Sequence, residues 1–169
     1  MNTKGDMMTH EHLGAIEELS FFGPLPSWAR ERLAITAEEI TLEPGEFAVH
    51  QHDEADSVYF LLSGGVQFLL RFEGVDDLLV GTTDEPGALI SWSVFRAPYR
   101  NTASVRCETT CRLLKVPGAA FEEIFAEDPR LHYEILGQTA AVVADRLKKA
   151  RDVLVLLPEH MMTEGASYE

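Results

Sequence analysis

The sequence predicts a mainly β domain, a barrel or jelly roll, flanked by helices at both ends. Three observations carry this. The apolar period changes from helical to two at Ile40. From there to Val116, short apolar runs alternate with Gly/Pro turns about every eight to twelve residues, the spacing of an all-β barrel or jelly roll. Beyond Gly118 the helical period returns. A length of 169 residues makes one domain the default, and a hydrophobic fraction of 46% is ordinary for a globular core.

In chain order, Met1–Met8 reads as a frayed end. Thr9–Leu19 reads as a helix, with Leu13, Ile16 and Leu19 in register and Thr9 as its cap. The aromatics of Phe21-Phe22-Gly23-Pro24-Leu25-Pro26 are expected to tuck against the body. Ser27–Glu39 is a second helix, capped by Ser27, with Trp28, Leu33 and Ile40 roughly on one face. Ile40 and Leu42 begin the β pattern, Glu43-Pro44-Gly45-Glu46 turns it, and Phe47 and Val49 continue it. His50–Asp56 is a polar loop. Val58–Leu62 is a buried strand and Ser63-Gly64-Gly65 a tight turn. Val66–Phe72 and Leu78–Thr82 pair across Glu73-Gly74. Ala103–Cys107 and Cys111–Val116 close the roll. The two cysteines read as reduced thiols in or near a sheet. Gly118–Ala126 is a short helix, and Asp128-Pro129 caps a long one from Leu131 to Leu157.

The long helix carries two apolar stripes. One stripe suffices to cover a roll. A second, through Leu136, Ala140, Val143 and Leu147, points to a partner helix. A homodimer is therefore expected, with Leu131, Ile135, Val142, Val143, Leu147 and Leu154 at the interface.

Pro86–Val105 is the organising stretch. A Pro86-Gly87 turn leads through Leu89-Ile90 into Ser91–Phe95, about one and a half helical turns with Ser91 as N-cap. Pro98 breaks the segment and Arg100 follows. Free N–H groups beside an arginine make a cradle for a small anion; the alternative is a packed crossover between two strands with a surface arginine.

The formal net charge of −14 argues against nucleic acid. The one basic cluster, Arg146-Leu-Lys-Lys-Ala-Arg151, has Asp145 and Asp152 beside it and reads as a solvated helix face. No apolar run approaches the roughly 20 residues of a membrane span, and Met1–His12 lacks a signal-peptide core. The expectation is a cytoplasmic protein without a membrane or nucleic-acid partner. No catalytic constellation emerges, so an enzyme is not expected.

Several motifs resemble the cyclic-nucleotide-binding domain family. Leu42-Glu43-Pro44-Gly45-Glu46 looks like its first turn, and Ala55–Val66 like its strand–turn–strand. Pro86-Gly87 looks like the approach to its phosphate-binding cassette, Arg100–Val105 like the cassette's end, and Cys111–Val116 like the closing strand. The likeness runs from about Phe21 to Leu157. It implies a jelly roll (double-stranded β-helix) with N-terminal helices and two C-terminal helices. The implied layout is a tail and helix over 1–20, the domain over 21–157 and a tail over 158–169. It also implies a cyclic nucleotide or other small anionic ligand at Gly87, Ser91, Trp92, Ser93, Val94, Arg100, Asn101 and Thr102.

The family's cassette helix begins Gly-Glu, with the glutamate on the ribose hydroxyl. Here Ser91 and Trp92 stand in those places, and Trp offers a donor but no acceptor. The family's phosphate-binding arginine would fall on Asn101, with Arg100 one residue early. His52 stands where a glycine is customary. The pattern looks like a divergent, stand-alone bacterial member. The resemblance implies a regulatory module whose ligand repositions the C-terminal helices and signals to a protein partner. The competing reading is a dimeric interaction module with a closed, ligand-free pocket. A third reading is a cupin-type metal site, in which His50 and His52 share one face of a strand. It is disfavoured because Pro86–Trp92 supplies no further histidine. No resident cofactor or metal is expected.

Overall fold

The computed structural model describes residues 3–72 and 77–155, without the side chains of residues 3–9, 11, 150 and 152–155. The Glu73-Gly74 turn, Leu157, the 158–169 tail and the side chain of Leu154 lie outside the described residues.

Among the described residues, eight strands form two four-stranded antiparallel sheets. They are β1 (Glu38–Leu42), β2 (Phe47–Val49), β3 (Ser57–Ser63), β4 (Val66–Leu70), β5 (Leu78–Thr83), β6 (Leu89–Ser91), β7 (Ser104–Cys107) and β8 (Cys111–Pro117). One sheet has the order β1-β8-β3-β6 and the other β2-β7-β4-β5. The helices are α1 (Thr3–Glu18), α2 (Ser27–Thr36), α3 (Gly118–Glu127) and α4 (Arg130–Val155), with 3-10 turns at Ser20–Phe22 and Ser93–Phe95.

Strand β3 is buried on both faces, which is why it reads as an unbroken apolar run rather than an alternation. Tyr59 and Leu61 point into the roll, against Val66, Ile90, Val105 and Leu113. Val58 and Phe60 point the other way, into a cluster with Phe22, Leu33, Phe121 and Ile135 from the helical layer. The expected tucking of Phe21 and Phe22 holds, since both are buried and both contact the Phe60 ring, at centroid distances of 5.1 and 4.9 Å.

Several local expectations are corrected. Helix α1 begins at Thr3, so Thr9 lies inside the helix rather than at its start. The N-cap of α2 is Pro26, with no side-chain bond, and Ser27 is the first helical residue. Helix α2 stops at Thr36 because Glu38 onward pairs with β8. Asp128 does serve α4, accepting the Arg130 N–H at 3.0 Å and pairing with its guanidinium. That pairing holds the Asp128 carboxyl below its usual pKa.

Cys107 and Cys111 are both buried free thiols. Burial, then the hydrogen bond to Cys111, pushes the Cys107 thiol up to about 12. The Cys107 environment is not that of a reactive thiolate.

Candidate functional site

Proline and glycine at Pro86-Gly87 turn the chain, with Gly87 at φ 87° and its N–H on the Leu61 carbonyl at 2.7 Å. The residues after it are a strand rather than a helix start. Leu89 and Ser91 pair with β3 at Phe60 and Tyr59. Ser91 is therefore not an N-cap. Its hydroxyl donates instead to the buried Asn101 side-chain oxygen at 3.0 Å. Trp92 leads into the single turn Ser93–Phe95. Val94 turns away from the roll, packing so closely on the start of α3 that a Cβ on Gly118 would lie 2.2 Å from it.

Asn101 fixes the other wall. Its N–H donates to the Asp53 carbonyl at 2.9 Å and its carbonyl accepts the His52 N–H at 2.8 Å. His52 has φ 72°, the left-handed geometry that makes glycine customary at such a turn. Arg100 leaves the cavity altogether. It is exposed, and its guanidinium donates to the His52 carbonyl at 2.8 Å.

These walls border a half-open cavity that Val49, Phe68 and Val105 of the second sheet also line. Of the sequence-predicted residues, Ser91, Trp92, Ser93, Asn101 and Thr102 line it, whereas Gly87, Val94 and Arg100 do not. The expected anion cradle is corrected accordingly, because its arginine is tied to the rim by the His50–Asp53 turn.

The residue that sequence reasoning missed is Arg146. Helix α4 delivers it to the cavity, where it is the one charged lining residue among those described. Its Cζ lies 4.3 Å from the Phe68 ring centroid and 4.6 Å from that of Trp92. Its guanidinium also donates to the Leu89 carbonyl. Both rings are within cation–π range. Burial pushes the guanidinium down to about 10, against the opposing pull of Asp145, so it remains charged at neutral pH. A signal was present in the sequence. Leu131, Ile135, Thr139 and Val142 form the inward stripe of α4, and Arg146 continues it four residues on.

With Arg146 in place the remaining space is about 30 Å³, enough for a water or two. Small-molecule pockets run to roughly 300–1,000 Å³.

The two stripes of α4 have different fates. Leu131 and Ile135 are buried in the chain's own core, so they are unavailable to a partner and their assignment to a dimer interface is corrected. Val142 packs partly against the same core. Leu136, Val143 and Leu147 remain exposed. The histidine pair also parts from the strand reading. Strand β2 ends at Val49, His50 stacks on Phe47 at 4.5 Å, and His52 lies in the following turn. Among the described residues no three His, Cys, Asp or Glu side chains gather into a metal-binding group.

The profile of the cyclic nucleotide-binding domain family matches residues 39–128, from β1 to the end of α3. The chain belongs to that family. Among solved structures, this cyclic nucleotide-binding domain superposes on a Geobacter metallireducens protein proposed to bind cyclic nucleotides. The identity is 26% and the TM-score 0.67, over 76% of this chain and 92% of that one. A cyclic nucleotide-binding domain from Methylobacillus flagellatus gives 15% identity and a TM-score of 0.70, over 89% and 84%. The regulatory subunit of a cAMP-independent protein kinase A from Trypanosoma cruzi, bound to guanosine, gives 20% and 0.70. This domain spans 52% of that subunit. At the lower identities the likeness concerns the fold. No curated protein shows a significant match. No helix among the described residues is long and apolar enough to cross a membrane.

Proposed function

We propose that this domain is a regulatory sensor that takes a cyclic nucleotide or other small anionic ligand into the cavity between Trp92, Asn101 and Thr102. It would signal through α4 to a protein partner. The observation that carries this is the contact between Arg146 and Trp92. It joins the helix expected to move with the wall expected to meet ligand. A ligand that favours one placement of α4 over another shifts the equilibrium between them.

Thermal unfolding with cyclic AMP and cyclic GMP at several concentrations tests the reading. A ligand at about 100 times its dissociation constant adds roughly 2.7 kcal/mol, or several degrees for a chain of this size. Thr102→Trp, a bulky group at an exposed cavity-lining position, is expected to abolish the shift while leaving the unliganded midpoint in place. Arg100→Ala is expected to preserve the shift, because Arg100 lies on the rim. A shift lost with Arg100→Ala would return the anion cradle to the loop.

The small remaining space favours a second reading, a closed interaction module. An absence of any shift with either nucleotide would select it. Both readings include a homodimer formed through the exposed face of α4. Leu147, at 59% exposure, lies on that face. Leu147→Asp is expected to convert the sedimenting species from dimer to monomer. A monomeric parent protein would reject the dimer.

A further inference from the structure

We propose that Phe68, Trp92 and the Leu89 carbonyl form a guanidinium-binding slot whose internal ligand is Arg146, and that a planar ligand entering the cavity competes with it for that slot. The inference rests on reading the cavity as a ligand site and goes beyond it by naming what a ligand has to displace.

The slot suits this group closely. A guanidinium is planar and weakly hydrated, and it stacks on aromatic faces in a way an ammonium does not. Two ring centroids lie 4.3 and 4.6 Å from its carbon, and a strand-end carbonyl accepts from one of its nitrogens. Phe68 comes from β4, Leu89 from β6, and Trp92 from the turn that follows β6. A single side chain thus ties both sheets to α4. A nucleobase is also a flat π system, and the surface it would stack on is the one Arg146 covers. The space left beside Arg146, about 30 Å³, does not admit both. Entry of a planar ligand therefore requires the Arg146 side chain to withdraw, and with it goes the tie between the two sheets and α4. The binding-competent state is only a fraction of the population, so the measured affinity is lowered by that fraction. Removing the internal ligand removes that reduction.

The test uses the full chain with Trp28→Phe, which leaves Trp92 as its one tryptophan. Arg146→Ala is expected to raise acrylamide quenching of Trp92 at least about twofold. Millimolar ethylguanidinium is expected to restore the parent value in Arg146→Ala and to leave the parent unchanged. Ethylammonium, with the charge but not the plane, is expected to restore nothing. Arg146→Lys, which keeps the stem and charge, is expected to quench like Arg146→Ala, and it guards against a folding defect peculiar to alanine. Unchanged quenching in both variants, or no effect of ethylguanidinium on Arg146→Ala, would overturn the slot.

Calorimetric titration with cyclic AMP and cyclic GMP reads the competition. Arg146→Ala is expected to bind at least about tenfold more tightly than its parent. Weaker binding by Arg146→Ala would overturn competition and make Arg146 a recognition residue. If neither nucleotide binds either protein, the nucleotide reading is overturned, while the quenching and ethylguanidinium results still decide the slot.

Discussion

Phe60→Ala is expected to destabilise the domain by roughly 3–5 kcal/mol, the range for truncating a buried phenylalanine. Phe60 is fully buried at the centre of β3. Its ring meets Phe21 and Phe22 from the turn that joins α1 to α2, and it shares a cluster with Phe121 and Ile135 from the C-terminal helices. The cavity left by truncation would have walls from three parts of the chain, none able to collapse into it without unseating another. Domains of this kind have roughly 5–15 kcal/mol in total, so the variant approaches the edge of folding. Its melting midpoint should fall by roughly 6–20 °C at about 2–4 °C per kcal/mol. A urea-denaturation midpoint that implied a loss under about 1 kcal/mol would show that the helical layer does not pack on the sheet through Phe60.

Gly64→Ala is the second large effect, on the order of 2–5 kcal/mol from a left-handed backbone and an overpacked contact together. Gly64 has φ 95°, and a Cβ there would lie 2.4 Å from the Thr110 carbonyl oxygen and 2.9 Å from the Cys111 Cα. Both neighbours are backbone, so no rotamer change relieves the clash. The adjacent Gly65 is already committed: its N–H donates to the Thr109 hydroxyl at 2.9 Å and its carbonyl accepts from Glu108 at 2.8 Å. The turn between β3 and β4 is thereby locked against the connection from β7 to β8. Equilibrium unfolding checks this directly, and a Gly64→Ala protein as stable as the parent would contradict the packing of the two turns.

The roll was legible because its signals are local. Gly and Pro punctuate the strands, and β3 and β8 carry enough apolar residues to be recognised alone. Strand β6 was not legible. It is three residues long, and Leu89-Ile90-Ser91-Trp92 fits a helical start as well as an edge pairing. Only the partner strand β3, distant in sequence, decides between them. The same holds for the two arginines. Arg100 sits one residue before the position at which the family resemblance expects an anion-binding residue. The direction of its side chain follows from positive φ at His52 and at Tyr99, φ 56°, which no residue type announces at non-glycine positions. Arg146 sits in a basic run that reads as solvated. Its inward position follows from how α4 docks, although its register with Ile135 and Val142 was visible.

The most direct measurement is amide hydrogen exchange, read residue by residue, with and without millimolar cyclic AMP or cyclic GMP. The account predicts slowed exchange at Ile90–Ser93 and Asn101–Val105, the segments that carry the cavity walls, together with faster exchange in the turn of α4 around Val142–Arg146 as Arg146 withdraws. Slowed exchange at the walls with α4 unchanged would contradict the coupling of cavity to helix. No change in either segment would contradict the cavity as a nucleotide site.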